Sequence, residues 1–469
     1  MYLARRRRLL ILLDFVAVNA ALLFSLALRP EYRLDPELIF DHPHWFLILT
    51  AVWFPLAYAF DCYDPRIAGR FSETAKARIK TGLVGSFIYL LIPFLTPALP
   101  SSRLLFLSLP LFLVGLTIAL SGIYDLARGR SLFLQRALVI GAGRAGKEIT
   151  GVLREQGRGV YDIVGFVDDD QAKQGSTLRV EMLNVQLSDV QTFNVLGDRH
   201  ALLDLIRKHQ IKTLILAVQR EVNGEFLQIL TDCLELGVKI VPMPVLYEKL
   251  TGRVPIEHVG SQWHVAMPLQ NPGERLLWAA TKRLMDIVLV SLGFICLAAA
   301  MPFIAAAIYI NSPGPIFYTQ MRVGKRGRVF KAYKFRSMRP DAEKGKAVWA
   351  AKNDSRVTRV GGILRKTHVD EFPQFWNILK GEMSVVGPRS ERPEFVEELA
   401  REIPFYRVRH AVRPGMAGWG LVKQGYGGSK EEAVLKLQYD LYYIKHQSLW
   451  LDIVILIKTI IDTLTFRGR

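Results

Sequence analysis

Cysteine and acidic residues are scarce in this chain, and each scarcity excludes something. Only three cysteines occur in 469 residues, Cys62, Cys233 and Cys296. They show no CxxC spacing and no pairing with histidine, which argues against a disulfide framework or a zinc site. Against 61 Lys and Arg stand 43 Asp and Glu, a formal net charge of +18, while 50% of the residues are hydrophobic. A balanced soluble enzyme carries neither excess, whereas association with a bilayer accounts for both. The basic, apolar start, residues 1–28, lacks a small-residue cleavage site, so it reads as a retained anchor rather than a signal peptide. The length is too great for one ordinary core and implies two or three domains.

Four apolar stretches, roughly residues 9–28, 45–60, 82–99 and 104–123, approach the ~20 residues a helix needs to cross the hydrocarbon core. The flanks are basic at Arg5 to Arg8, at Arg66, Arg70, Lys76, Arg78 and Lys80, and at Arg128, Arg130 and Arg136. In the remaining loops charge is mixed or sparse, with Arg29 offset by Glu31, Asp35 and Glu37. The positive-inside rule therefore puts both ends of a four-helix transmembrane bundle, residues 1–128, in the cytoplasm.

From residue 135 to 250 the pattern becomes α/β and Rossmann-like. A strand at 136–140 leads into Gly141-Ala-Gly143-Arg-Ala-Gly146, a helix at 147–155 follows, and a second strand at 163–167 ends in Asp168-Asp169-Asp170. Strand, glycine turn, helix and an acidic residue after the second strand form the context that a dinucleotide fingerprint requires. Gly141, Gly143, Gly146 and Asp168 are the candidate cofactor-binding residues. The competing reading is a domain that keeps the turn for packing or senses another nucleotide. Further strands are expected at 212–218 and 238–241.

After a linker, 251–280, a third domain spans 281–469. Its first element, 284–310, is long enough to cross a membrane, yet Pro302 interrupts it and basic residues flank both sides. A re-entrant helix bent at Pro302 keeps both flanks cytoplasmic. From Arg322 to Arg339 the chain is basic, with no acidic residue. Beside a membrane segment such a run suits anionic headgroups. No reader fold or aromatic interleaving points to nucleic acid. The closing stretch, residues 449–458, reads as an interfacial segment too short to cross.

The centre of this domain is Arg365-Lys-Thr-His-Val-Asp370-Glu371-Phe-Pro373-Gln374. An Asp-Glu pair by itself suggests a helix cap: Asp370 as N-cap, Pro373 in the first turn and a helix from Glu371 to about Leu379. A carboxylate at such a helix start stays ionised and suits a nucleophile or a magnesium ligand. Arg365 before the pair and Gly387-Pro388-Arg389 after it add guanidinium forks that match phosphate oxygens.

These residues carry a family resemblance. Lys282-Arg283-x-x-Asp286, Ser312-Pro-Gly314-Pro with Gln320 and Arg322-Val-Gly324, Tyr333-Lys334-Phe335-Arg336-Ser337-Met338, Asp370-Glu371-Phe-Pro373-Gln374, Gly387-Pro388-Arg389, Arg413-Pro414-Gly415 and Tyr439-Asp440 resemble the bacterial polyprenyl-phosphate glycosyl-1-phosphate transferases in their large form. Met301, Phe372 and Ser390 depart from the family pattern, none of them at a charged position.

The resemblance implies a mostly helical catalytic domain and transfer of a sugar 1-phosphate from a UDP-sugar to undecaprenyl phosphate through an aspartyl intermediate on Asp370. It further implies Mg2+ held by Asp370 and Glu371, and substrate phosphates held by Arg365, Arg389, Lys334 and Arg336. The expected setting is the bacterial inner membrane, with the catalytic domain cytoplasmic and a homodimer as the assembly. Two rival readings are a membrane-anchored nucleotide-sugar dehydratase or epimerase, for which Tyr426-Gly-Gly-Ser-Lys430 is the only catalytic pair on offer, and a nucleotide-sensing scaffold.

Overall fold

The computed structural model describes residues 2–32, 36–64, 71–100, 102–128, 134–156, 160–180, 191–218, 223–258, 276–340, 354–425 and 429–465. They fall into two compact units, one running to Thr251 and rejoined at His258, the other made of Gly252–Glu257 and the C-terminal part.

In the first unit the helices Tyr2–Ala27, Pro43–Ala59, Phe71–Leu90 and Arg103–Arg128 share one apolar core, which includes Leu22, Trp53, Tyr89 and Leu113. The first, second and fourth follow the apolar stretches of the sequence. The third is displaced from the expected 82–99 to Phe71–Leu90. Pro93 and Pro97 cannot continue a helix, and the helix extends instead into the basic residues before Gly82. The basic loop residues Arg66, Arg70 and Arg130 lie outside the described residues.

The α/β part holds a four-stranded parallel sheet in the order β2-β1-β5-β6, with β1 Gln135–Ile140, β2 Tyr161–Val167, β5 Thr213–Leu216 and β6 Lys239–Pro242. Side chains alternate across a strand, and β1 shows the result. Ala137 and Val139 pack toward the helices Arg144–Gln156 and Met243–Thr251, whereas Leu138 and Ile140 pack toward Leu202–His209 and Gly224–Glu235. Covering on both faces explains why the strands read as continuous apolar runs. An antiparallel pair, β3 Thr177–Val180 with β4 Gln191–Asn194, was not legible in the sequence.

The segment expected as a linker is not all linker. Residues 259–275 lie outside the described residues, but Gly252–Glu257 belong to the second unit, where Val254 N–H donates to the Gln438 carbonyl at 3.1 Å. Helix begins already at Leu276.

The second unit is organised on one continuous helix, Leu276–Asn311, with Pro302 inside it. At 1.5 Å per residue a straight helix of this length would be about 54 Å long, well beyond the ~30 Å hydrocarbon core. Its two ends bond the same unit: Arg283 donates to the carbonyls of Ile378 at 2.6 Å and Leu379 at 2.7 Å, and Asn311 Oδ1 accepts from Val360 N–H at 3.1 Å. Leu297 and Ile308, on either side of Pro302, share a core cluster with Phe335 and Leu364. The outer face of the helix exposes Leu284, Val288, Leu292, Ile295, Phe303 and Ile310.

The basic run forms an antiparallel hairpin, β7 Phe317–Val323 with β8 Val329–Phe335. The hairpin is a small sheet in a unit whose described residues are otherwise mostly helical, as expected. A short parallel pair comes next, β9 Ser384–Val386 and β10 Gly415–Ala417. The closing stretch is a helix, Leu449–Leu464, capped by Ser448, whose hydroxyl accepts from Leu451 N–H.

Candidate active site

Thr358 caps the helix Arg359–Lys366 by accepting from Gly361 N–H at 3.0 Å. Gly361 lies against the backbone of Ser337, where a Cβ would come within 1.9 Å of its carbonyl oxygen. The chain then reverses at His368, whose φ is +56°, and enters a 3-10 turn, Val369–Gln374. Asp370 and Glu371 both lie in this turn and both are buried.

The α-helix starts only at Phe375, with no side-chain cap. The expectation of Asp370 as an N-cap is therefore wrong. Pro373 disfavours α geometry at Phe372 and removes an amide donor, so the tighter turn occupies the first residues of the expected helix. Asn377, completely buried, fastens this short helix to the hairpin. Its Oδ1 accepts from Tyr333 N–H at 3.2 Å, and its Nδ2 donates to the Lys331 carbonyl at 2.8 Å and to Glu382 at 2.7 Å.

Glu371 is the anchored carboxylate. Arg389 grips both of its oxygens, with NH1 to Oε2 at 3.0 Å, and Lys334 Nζ donates to Oε1 at 2.6 Å. Burial pushes its carboxyl up, but Arg389 and Lys334 outweigh burial and hold it well below the usual range. Asp370 differs. Among the described residues its carboxylate accepts no hydrogen bond, and burial together with the Glu371 charge raises it to about 6, against the pull of Lys334, Arg365 and Arg389. The sequence reading kept this carboxylate firmly ionised. Without a helix start and its amides, burial and the Glu371 charge outweigh the three cations.

Arg389 owes its position to two close-packed backbone segments. Gly387 N–H donates to Ala417 O and Gly415 N–H to Pro388 O, both at 2.9 Å. A Cβ on Gly415 would lie 2.0 Å from Gly387 N, so the Gly-Pro-Arg and Arg-Pro-Gly motifs need glycine where they touch.

Behind them lies a second layer that sequence reasoning did not assign to the site. Arg409 donates to the Arg389 carbonyl at 2.9 Å and to Asp440 at 2.8 Å. Glu391 pairs with Lys436 at 2.7 Å and Arg322 at 3.6 Å. Burial pushes Glu391 up, yet Lys436, Arg409 and Arg322 bring it down to about 2. Arg322, Asp440 and Arg389 were visible as motif members; their connection was not.

Of the expected phosphate clamps, Lys334 and Arg389 sit on Glu371, and the half-buried Arg365 acts on Asp370 through its charge. Arg336 is not part of the cluster. Its guanidinium is committed to the carbonyls of Ser312 and Pro313, where it closes the loop after the long helix.

The glycine-rich turn forms a separate feature in the first unit. Gly141 has φ +106°, and a Cβ on Gly146 would come 1.9 Å from the Gly141 carbonyl oxygen, whereas Gly143 has nothing within 4 Å. Gly141, Gly143 and Asp168 line a cleft of about 760 Å3 at the ends of β1, β2 and β5. Asp168 accepts from Ala142 N–H at 2.7 Å and Asp170 N–H at 3.0 Å, so it holds the turn itself.

Among the described residues three helical segments, Arg7–Ala27, Arg103–Tyr124 and Leu277–Asn311, are long and apolar enough to cross a bilayer. With the buried carboxylate-guanidinium cluster fastened to the third of them, the fold and site define a membrane protein with a buried charged cluster held on an apolar helix. Residues 277–466 match the bacterial sugar transferase family, and residues 58–244 match a family described as a CoA-binding domain.

The chain is 42% identical over 248 residues to a UDP-N-acetylgalactosamine-undecaprenyl-phosphate N-acetylgalactosaminephosphotransferase of Aeromonas hydrophila, covering 53% of this chain and 57% of that one. It is 34% identical over 275 residues to a UDP-glucose:undecaprenyl-phosphate glucose-1-phosphate transferase of Xanthomonas campestris pv. campestris, covering 57% and 56%. Against the exopolysaccharide production protein PSS of Rhizobium leguminosarum bv. phaseoli it is 40% identical, covering 40% of this chain and 96% of that protein. This chain belongs to the bacterial sugar transferase family. The match spans a little over half the length of the first two relatives.

Proposed function

We propose that the protein transfers a sugar 1-phosphate from a UDP-sugar to undecaprenyl phosphate, releasing UMP. The observation that carries this reading is the division of labour in the dyad: Glu371 is immobilised by Arg389 and Lys334, whereas Asp370 beside it is buried with its oxygens uncommitted. A nucleophile needs such freedom, and a fixed, neutralised neighbour keeps it oriented.

An Asp370 oxygen attacks the phosphorus that bears the sugar. The bond from that phosphorus to the oxygen of UMP breaks, and UMP leaves with the electron pair. A phosphate oxygen of the lipid then attacks the same phosphorus, and cleavage of its bond to Asp370 restores the carboxylate. Arg365 is the cation on the Asp370 side that suits the incoming phosphates.

Two adjacent carboxylates fit the donor set of Mg2+, which takes one or two of them along with substrate phosphates. Asp370 would be the readier ligand, and Glu371 would contribute through the lone pairs that its two cations leave. Bound there, the ion would neutralise developing phosphate charge.

The names of the relatives above support the donor and acceptor classes. The long helix supports a re-entrant geometry, since both of its ends bond the same unit. The full reading places a four-helix transmembrane bundle and a Rossmann-like domain before a catalytic domain on the cytoplasmic face of the inner membrane. The homodimer follows from the large-form resemblance. A panel of UDP-sugars with undecaprenyl phosphate and Mg2+, assayed for UMP, tests the activity and identifies the sugar. Product whose sugar ring is altered at the expense of NAD would replace this reading with the dehydratase.

The glycine-rich cleft belongs to the proposal as a nucleotide site. Gly143→Val should fill open space and abolish any binding of NAD, UDP or coenzyme A while leaving the melting temperature within about 2 °C of wild type. Gly146→Ala should lower it because backbone must move. Equal binding by wild type and Gly143→Val in calorimetry would remove the site.

A further inference from the structure

One turn of the long helix reaches three separate parts of the second unit. Lys282 Nζ bonds Asp452 at 2.6 Å on the closing helix. Arg283 caps the carbonyls at the end of the helix Phe375–Lys380, which comes directly after the dyad's turn. Asp286, almost fully buried, accepts from Ser384 Oγ and Val385 N–H, both at 3.0 Å.

The last contact is on β9, and β9 runs directly into Gly387-Pro388-Arg389. Tyr443 holds the same strand from its other side, its single hydroxyl proton shared between the Val386 carbonyl at 3.2 Å and Asp452 at 2.8 Å. Arg283 and Asp286 thus fasten the elements carrying the two halves of one ion pair, the segment after Glu371 and the strand before Arg389.

We infer that Asp286 is a positioning residue, through which the apolar helix sets the register of β9 and so the placement of the Arg389 fork on Glu371. Asp286 Oδ2 is buried and has no partner among the described residues. A carboxylate left half satisfied is a costly way to make two hydrogen bonds that a neutral side chain could make. It does, however, strengthen both of them, since bonds to an ionised acceptor are roughly twice as strong as neutral ones. Strand position matters here because a bidentate grip tolerates little displacement: a shift of about 1 Å at a catalytic group costs on the order of 100-fold.

The test rests on the proposed transferase reading and is a double-mutant cycle in detergent-solubilised full chain. Asp286→Ala should lower kcat for UMP release by about tenfold or more, with KM for the UDP-sugar changed by less than about threefold. In an Arg389→Ala background the same change should add little, because the group it positions is gone. Asp286→Asn keeps an acceptor for Ser384 and Val385 and should recover most of the rate. Losses that multiply across the cycle, or an Asp286→Ala protein with wild-type kcat, overturn the inference.

If the wild-type protein releases no UMP, the transferase reading fails. Amide exchange then decides the present point. Exchange accelerated at Ser384–Val386 in Asp286→Ala and restored in Asp286→Asn, with the other strands unchanged, upholds it, and unchanged exchange in that segment overturns it.

Discussion

Asp370→Asn is expected to eliminate UMP release, by about 1,000-fold or more, and at the same time to make the metal-free protein harder to melt. The first effect follows from the proposed mechanism, since an amide cannot supply the carboxylate oxygen that would attack phosphorus. The second follows from burial. The Asp370 carboxyl is raised from 3.8 to about 6 in the folded chain, so the folded state binds this proton more tightly than the unfolded one. Its stabilising contribution is complete below the unfolded value and disappears as pH rises through about 6. Above that, an ionised carboxylate beside Glu371 opposes folding, by about 3 kcal/mol at pH 7.

Asparagine cannot ionise, so with metal chelated the variant should melt above wild type at pH 7.5 and approach it near pH 4. Melting curves across that range, beside a UMP assay, check both halves. Residual UMP release at wild-type rate removes Asp370 as nucleophile, and a variant no more stable at pH 7.5 removes the buried ionisation.

Arg389→Ala should produce the opposite thermal result together with a large rate loss. It removes both guanidinium bonds to Glu371 and leaves a buried carboxylate with Lys334 as its remaining ion-pair partner. Breaking a buried pair by deleting one member costs about 3 kcal/mol, and losing a preorganised charge beside the reacting group costs about 100-fold in kcat.

The pH dependence identifies the cause. Glu371 is held below its ordinary range, so the stability it contributes is present above about pH 4.5 and fades as pH falls through the depressed value. The deficit of Arg389→Ala should therefore be greatest at neutral pH and shrink in acid. Arg389→Lys keeps a charge without the fork and should fall between the two. A deficit that is the same at pH 3 and pH 7 would show that the arginine acts by packing and not by pairing.

Much of this architecture could be read from local pattern. Apolar length located three of the four N-terminal helices and the long helix, because crossing length is a property of consecutive residues. β1 and β2 and the glycine turn between them followed from short continuous apolar runs and from the conformations that only glycine adopts. Where the reading failed, a distant or geometric factor intervened. Pro93 and Pro97 shifted the third helix. Pro373 converted an expected helix start into a 3-10 turn, and with it went the cap assigned to Asp370. Arg336, two residues beyond Lys334 on the chain, turned out to close a loop, since spacing along β8 and the residues after it says nothing about which carbonyls lie opposite.

Residue type and order alone thus pointed to a membrane, and to Asp370 and Glu371 with arginine and lysine near them as the candidate site. Those readings depend on hydrophobic length, charge and motif, which the sequence carries explicitly. Tertiary structure decided which carboxylate is anchored and which is free. That choice depends on Lys334 from a hairpin and Arg389 from a strand held by Asp286 converging on one side chain, over sequence separations of 37 and 18 residues. Burial and distance set the ionisation of two neighbouring acids in opposite directions, and neither quantity is a property of adjacent letters in a sequence.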